Sequence, residues 1–446
     1  MASAAEQLAA NFNFGAFSKA TELKKRLWFV LGALVVYRLG TYIPMPGINP
    51  VALKEIFSNQ AGGIVGMFDV FAGGALSRMT IFALNVMPYI SASIIMQLMT
   101  AVVPAIEELK KEGETGRKKI NQYTRYLTVV LATVQGYGIA VGLESSGSVV
   151  INPGLMFEIS TVITVVGGTM FLMWLGEQIT QRGVGNGISL IIFAGIVANL
   201  PSALAQTFEQ GRTNVLPTLL IVFLLFMSVA VVAFIVFIER AQRRIVVQYP
   251  KRQVGNRMFG GESSHMPLKL NTAGVIPPIF ASSLLLMPAT FAGFSGGGTG
   301  VGGDLLGQIT AYLGRGQPGY IIAYVTLIVF FAFFYTAIVF NPSETADNLK
   351  KYGGFIPGIR PGKNTADYLD FVLTRLTVLG AGYLAAVCIL PEILISQYNV
   401  PFYFGGTSLL IVVSVTMDTV GQIHAHMLAH QYEGLIKKSK LRGRRG

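Results

Sequence analysis

Pro217-Thr-Leu-Leu-Ile-Val-Phe-Leu-Leu-Phe-Met-Ser-Val-Ala-Val-Val-Ala-Phe-Ile-Val-Phe-Ile238 is an apolar run without a single charged side chain. A helix that crosses the roughly 30 Å hydrocarbon core of a bilayer needs about 20 such residues. Charged residues make up only 13% of the whole chain, whereas about 25% is usual in a soluble domain. The run therefore predicts a transmembrane helix, and the composition predicts an integral membrane protein.

Nine further segments along the chain have a similar length and composition. We predict an all-α integral membrane protein with ten transmembrane helices, since the long apolar segments alternate with short polar loops. The predicted spans are approximately 27–44, 80–103, 126–143, 155–179, 187–207, 217–238, 272–291, 320–340, 371–391 and 404–424.

The positive charges fall on alternate loops. The formal net charge is +12. Of the Lys and Arg residues, 28 lie in the two terminal segments and in the loops on the same side of the membrane as the termini, and 4 lie in the loops on the opposite side. Lys and Arg are retained in the cytoplasm, so both termini are predicted there. The cytoplasmic parts are the N-terminus 1–26, the two large loops 239–271 and 341–370, and the basic tail 425–446.

The sequence shows no pattern typical of a metal site, a cofactor or an enzyme. His424, His426 and His430 lack a Glu or Cys at a spacing that would complete a ligand set, so ordinary interfacial histidines are favoured. No nucleotide-binding loop or nucleophile motif is present. We predict no cofactor and no catalysis, so another protein would supply any energy needed.

Two other function classes compete with a passive channel. An intramembrane enzyme is disfavoured by the missing catalytic motifs. An ion-coupled secondary transporter of small solutes would place carboxylates near the middle of the membrane, whereas the ionisable residues of the spans lie at or near their ends.

Three segments depart from the simple span pattern. The glycine-rich stretch 61–78 is apolar but too short to cross a bilayer, and could be a re-entrant segment or a helix lying on the surface. Span two carries polar residues and Pro88 at membrane depth. In span seven, Asn271, Pro277 and Pro278 are expected to weaken the helical hydrogen bonds. Such helices line cavities or are ordinary kinked helices, and the residues alone do not decide between these.

Several long motifs, taken together, resemble the SecY family of protein-translocation channels. They are Phe71-Ala-Gly-Gly-Ala-Leu-Ser-Arg78, Asn85-Val-Met-Pro-Tyr-Ile-Ser-Ala-Ser93, Lys110-Lys-Glu-Gly-Glu-Thr-Gly-Arg117, Leu175-Gly-Glu-Gln-Ile179, Gly185-Asn-Gly-Ile-Ser189, Glu239-Arg-Ala-Gln-Arg-Arg-Ile245, Phe340-Asn-Pro-Ser-Glu-Thr-Ala-Asp-Asn-Leu-Lys350, Phe355-Ile-Pro-Gly-Ile-Arg-Pro-Gly362 and Val400-Pro-Phe-Tyr-Phe-Gly-Gly-Thr-Ser408. The resemblance runs from about residue 24 to the C-terminus.

The resemblance implies two pseudo-symmetric halves of five helices, 27–207 and 208–424, around a central pore. It makes segment 61–79 a plug, with Gly63, Ile64, Met67, Phe68, Phe71, Gly73 and Gly74 among its residues. It also implies a pore ring formed by Val86, Ile90, Ile188, Ile192, Ile279 and Ile411.

The resemblance further implies a lateral gate between spans two and seven and a docking surface on the cytoplasmic loops. The gate residues would be Ser91, Ser93, Gln97 and Asn271, and the docking residues Arg360, Arg243, Arg244, Lys251 and Arg252. The expected partners are the SecE and SecG subunits, the SecA motor ATPase, the ribosome with its RNA, preprotein signal sequences and membrane lipids, with accessory SecDF and a YidC-type insertase. The expected location is the bacterial inner membrane.

Overall fold

The computed structural model describes residues 21–53, 69, 72–145, 149–213, 217–249, 252–254, 257–259, 263–294, 317–398 and 406–442. Most of these residues are helical. In chain order the helices are α1 (Thr21–Gly40), α2 (Met87–Val102), α3 (Pro104–Lys111), α4 (Glu114–Ser145), α5 (Leu155–Arg182), α6 (Gly187–Arg212), α7 (Thr218–Arg240), α8 (Ile276–Phe294), α9 (Pro318–Val339), α10 (Pro342–Lys351), α11 (Lys363–Tyr398) and α12 (Gly406–Arg442).

A helix of 16 residues or more lies at each of the ten predicted spans, and this confirms the helical membrane fold. Within the described ranges, seven helices are long and apolar enough to cross a bilayer. An eighth span is formed if α2 and α3, which meet at an angle of 97°, count as one broken helix. The remaining two predicted spans coincide with α1, whose first turns carry several charges, and with α8, a shorter apolar helix.

Span two begins later than predicted. Residues 80–86 form turns, and the helix starts only at Met87. Asn85 has a φ of +49°, a left-handed conformation that an α-helix excludes. Pro88 consequently lies in the first helical turn, where its missing N–H breaks no hydrogen bond.

The prediction that Pro277 and Pro278 weaken span seven is wrong. The helix α8 starts at Ile276, so Pro277 and Pro278 occupy its first turn. The first four N–H groups of a helix have no partner within it, and no hydrogen bond is lost there. Asn271 lies before the helix, in a turn that ends at Gly274, whose φ is +65°.

A small β-structure is an addition to the predicted all-helical fold. Between α7 and α8, strands β1 (Gln242–Gln248) and β4 (Ser263–Lys269) pair antiparallel, and β2 (Arg252–Val254) pairs with β3 (Arg257–Phe259). Ile245 and Val247 of β1 are buried, whereas the residues between and beside them are exposed. This alternation follows from a strand that covers a core with one face.

The helices bury one large apolar cluster, together with smaller ones, and leave large apolar side chains on the outside. On α7, Leu219, Phe226 and Phe237 are each more than 70% exposed, as expected of helices solvated by lipid. Close helix contacts rely on small residues: a Cβ on Gly187 of α6 would overlap the carbonyl oxygen of Gly176 on α5. Small residues at such contacts are typical of membrane helices, since they let backbones approach closely.

Candidate functional site

The six predicted pore-ring residues all belong to the same apolar cluster at the centre of the helices. Val86, Ile90, Ile192 and Ile411 are buried, and Ile188 and Ile279 are partly buried against the cluster. Apart from Val86, which directly precedes α2, each lies in the first two turns of its helix. The six predicted ring residues therefore come from the starts of four helices, α2, α6, α8 and α12. The starts of α6, α8 and α12 are held in place by polar contacts.

The start of α6 is fixed by three side chains. Asn186 caps the helix, its Oδ1 accepting from the backbone N–H of Ile188 at 3.2 Å, as an Asn at this position commonly does. Thr180 of α5 accepts a hydrogen bond from the N–H of Gly187, and Gln422 of α12 accepts one from the N–H of Gly185, both at 2.9 Å. These bonds set the position of Ile188 and Ile192.

The start of α12 is fixed by close packing and by a buried hydroxyl pair. A Cβ on Gly406 would overlap the carbonyl oxygen of Val387 on α11. Next to it, the Thr407 hydroxyl lies 2.5 Å from that of Tyr324 on α9. Ile411 follows one turn later. Cys388 is buried beside Thr407.

The start of α8 is preceded by a turn built around Asn271. The Asn271 side chain donates to the carbonyl of Gly274 and accepts from its N–H, both at 3.1 Å. Its Nδ2 also donates to Oε1 of Glu239, the penultimate residue of α7, at 2.8 Å. The turn that carries α8, and with it Ile279, is therefore attached to α7.

The four predicted lateral-gate residues are not joined into one polar network. The helices α2 and α8 pack against each other, as a gate between spans two and seven requires. On α2, Ser91 is buried and Gln97 donates to Ser93 at 3.4 Å. The hydrogen bonds of Asn271 run instead to Glu239 and Gly274, so Glu239 is a residue of this region that the sequence reasoning missed.

The described part of the predicted plug consists of Asp69 and the turns from Ala72 to Met79. Gly73 and Gly74 are buried and have φ values of +67° and +79°, which only glycine adopts at no steric cost. The buried turns are in keeping with a re-entrant segment rather than a surface helix. Gly63, Ile64, Met67, Phe68 and Phe71 lie outside the described residues.

The two predicted cytoplasmic loops join into a single protrusion. Gln248 at the end of β1 and Phe355 after α10 exchange two backbone hydrogen bonds of 2.9 Å. A separate apolar core lies beneath them, contributed by the hairpin, by the loop after α10 and by the start of α11: Ile245, Leu268, Ile356, Leu369, Val372, Leu373 and Leu376.

The predicted docking arginines lie on this protrusion with their side chains exposed. Arg243 and Arg244 are on β1, and Arg360 is in the loop before α11. Within the described part of the chain, none of the three forms an ion pair, so their charge is directed to solvent. Lys251 and the side chain of Arg252 lie outside the described residues.

The described residues contain no group of three or more His, Cys, Asp or Glu that could hold a metal ion. His424 and His426 lie on α12, and the side chain of His430 is not described. The six predicted pore-ring residues within the central apolar cluster are all aliphatic, which suits a constriction.

Comparisons with known proteins agree with this architecture. Residues 80–420 match the model of the SecY family. The chain is 57% identical to the protein translocase subunit SecY of Escherichia coli K12 over 425 residues, which cover 95% of this chain and 96% of the relative. A solved protein-conducting channel superimposes with a TM-score of 0.62 at 18% identity, covering 90% of this chain and 92% of that one. Sec61 in the canine ribosome–channel complex from the endoplasmic reticulum gives 0.60 at 17%, with the same coverage. The chain therefore belongs to the SecY family.

Proposed function

We propose that this chain is the channel-forming subunit of the general secretory translocon in the bacterial inner membrane. It passes unfolded preproteins across the membrane and releases transmembrane segments sideways into the lipid. The observation that carries the proposal is the set of six aliphatic residues from four helix starts that share one central apolar cluster in a chain of the SecY family.

The ring acts as a gasket. Branched alkyl side chains offer no hydrogen-bond partners, so a narrow constriction made of them loses its water and blocks ions. The same side chains can part around any passing segment, because apolar contacts are not directional. Val86 and Ile411 are at most 1% exposed, which supports a closed ring at rest. The plug at 61–79 would cover the ring from the outer side.

The seam between α2 and α8 provides the sideways exit. An apolar segment of a passing chain gains about 0.8 kcal/mol for each methylene that enters the lipid. Polar contacts between membrane helices average only about 0.6 kcal/mol, so a seam with few of them opens at a modest cost. Ser91, Ser93 and Gln97 would lie along this seam on α2.

The protrusion receives the partner that drives transport. Positive charge on the loops places the protrusion and both termini in the cytoplasm, where the SecA ATPase or a translating ribosome can reach them. Exposed Arg243 and Arg244 suit the phosphates of ribosomal RNA, and Arg360 is the residue we assign to motor docking. SecE and SecG are the expected small subunits of the complex.

The alternative, an ion-coupled transporter of solutes, is less well supported. Coupling needs ionisable groups inside the membrane, whereas the six residues that we assign to the ring are all aliphatic.

The test replaces Ile90, Ile192 and Ile411 together with glycine in the complete complex reconstituted into liposomes. We expect a large rise in the resting ion leak, because the ring loses its side chains, while preprotein import driven by SecA and ATP persists. The matched control replaces the lipid-exposed Ile159, Ile163 and Ile322 with glycine, at the same cost in helix propensity. An unchanged leak in the ring variant, or an equal leak in the control, contradicts the gasket.

A further inference from the structure

Two arginines bind the same backbone carbonyl at the end of the predicted plug. Nη1 of Arg38, near the end of α1, donates to the carbonyl oxygen of Gly73 at 2.8 Å. Nη2 of Arg78 donates to the same oxygen at 3.3 Å. Hydrogen bonds from a charged donor are about twice as strong as neutral ones, so this carbonyl is an unusually firm point of attachment.

The carbonyl belongs to a turn that is closed on itself. The carboxylate of Asp69 accepts from the N–H of Ser77 at 2.8 Å, and the backbone carbonyl of Asp69 accepts from the N–H of Gly74 at 2.9 Å. Gly73 lies against α6, where a Cβ would be 3.0 Å from the Cα of Gly195. The turn therefore moves as a unit, and holding Gly73 holds the end of the plug against α6.

Both guanidinium groups are kept in place by Tyr42, just beyond α1. The Arg38 and Arg78 guanidinium carbons lie 4.9 and 4.4 Å from the centre of the Tyr42 ring, and Nη2 of Arg38 donates to the Tyr42 hydroxyl at 2.9 Å. Among the described residues, neither arginine forms an ion pair with a carboxylate. The Gly73 carbonyl and Tyr42 therefore provide the strongest contacts of two charges that lie next to the membrane.

The neighbouring residue of α1 links the same turn to the pore ring. The hydroxyl of Tyr37 lies 3.4 Å from the carbonyl oxygen of Ala72, to which it donates, and 3.5 Å from Nδ2 of Asn85. Asn85 directly precedes Val86 of the ring. One end of α1 thus contacts both the plug and the start of α2.

We propose that Arg38, assisted by Arg78, is a latch that holds the plug closed by binding the carbonyl of Gly73. The latch rests on the proposed function, because it requires segment 61–79 to be the plug of a channel. Displacing the plug breaks both charged hydrogen bonds. The guanidinium groups then keep only neutral partners among the described residues, namely Tyr42 and, at 3.4 Å, the hydroxyl and carbonyl oxygens of Thr41.

The test compares Arg38→Leu with Arg375→Leu in the complete complex in liposomes. Arg375 is also an arginine of a predicted span and lies on α11, with its guanidinium 3.9 Å from the Phe371 ring; within the described residues it has no hydrogen bond to the predicted plug. Two quantities are measured: the resting ion leak, and the rate at which a membrane-impermeant maleimide labels a Ser77→Cys protein from outside. The loss of one charge-assisted hydrogen bond should raise the ion leak and the labelling rate by about tenfold, which corresponds to about 1.4 kcal/mol. Neither quantity should rise in the control.

Further variants separate the possible outcomes. If Arg38→Leu fails to assemble, Arg38→Lys and Tyr42→Phe replace it and should give smaller rises, since a lysine donates from a single point and phenylalanine removes one hydrogen bond. Unchanged leak and labelling in these variants, beside a leaking glycine variant of the ring, overturns the latch alone. Absence of leak in the ring variant as well overturns the channel itself.

Discussion

The hydrogen bond between Glu239 and Asn271 offers a direct test of how α8 is held. Its donor and acceptor are 2.8 Å apart, Asn271 is only 4% exposed, and the acceptor is a carboxylate. A hydrogen bond to a charged group contributes about 1.5–3 kcal/mol. If opening the seam between α2 and α8 separates this pair, removing it shifts the closed-to-open ratio by roughly 10- to 150-fold.

Substitutions at the two positions should rank in a fixed order. Glu239→Gln keeps an acceptor for Asn271 and should cost least, about 1 kcal/mol. Asn271→Ala removes this bond and both bonds to Gly274, and should cost more. Asn271→Asp should be worst, because it places two carboxylates in contact in a site of reduced dielectric constant. Combining Glu239→Gln with Asn271→Asp restores a charged N–H···O pair and should recover part of the loss.

The assay measures the resting ion leak of the reconstituted complex together with its thermal unfolding. The control is Glu209→Ala, which removes a pair with Arg212 on the exposed end of α6 and should leave both unchanged. A leak equal to the control in Asn271→Asp would refute the reasoning. So would a lower unfolding temperature without any leak, since the bond would then persist in the open state.

Three further predictions address the protrusion, the first half and the core. Arg360→Glu should stop SecA-driven import without reducing membrane integration. The control Lys351→Glu, at the exposed end of α10 on the same protrusion, should leave import unchanged. Normal import by the Arg360 variant would show that this residue has no part in docking. Arg125 and Glu177 form a bidentate pair at 2.6 and 2.8 Å between α4 and α5. A double-mutant cycle on the two residues, measured as the free energy of unfolding in detergent, should give a coupling energy of about 1 kcal/mol because both side chains are partly exposed. A coupling energy of zero would contradict this prediction. Gly406→Ala should lower the free energy of unfolding by about 1–3 kcal/mol, because the added methyl group overlaps Val387. The control Gly421→Ala lies in the same helix with nothing within 4 Å of the added methyl group, and should be neutral or slightly stabilising. Equal effects of the two substitutions would contradict the overlap.

The transmembrane segments could be predicted because the bilayer imposes a length and a composition on each one separately. The run 217–238 is apolar over its full length, and α7 extends over Thr218–Arg240. Where a segment begins depends on tertiary packing instead. The left-handed conformation of Asn85 delays the start of α2, so that Pro88 lies in its first turn. The turn at Asn271 delays the start of α8 in the same way for Pro277 and Pro278. No local sequence pattern predicts these two helix starts.

Contacts between distant parts of the chain could not be predicted in the same way. The two basic loops were recognised separately by their charge, but the bonds between Gln248 and Phe355 join residues more than a hundred positions apart. The sequence predicts Asn271 as a polar residue near the gate, but it does not predict that Glu239 is its partner. A polar side chain in the membrane indicates that a hydrogen-bond partner is needed, and does not indicate which residue supplies it. Arg38 lies within the first predicted span, 27–44, but only the folded chain shows its hydrogen bond to the Gly73 carbonyl.

The polar and apolar contacts at the centre of the fold have different tasks. Polar contacts fix the starts of α6, α8 and α12 to their neighbours, through Thr180, Glu239 and Tyr324, and each lies beside the ring residues rather than among them. The ring itself is held by apolar packing, which has no preferred direction and re-forms after any displacement. If polar groups lay in the ring, each opening would break specific hydrogen bonds and leave them unsatisfied in a dry constriction. If the ring is the gasket proposed above, this separation lets the starts of α6 and α12 remain anchored while their aliphatic side chains part and close again around a moving chain.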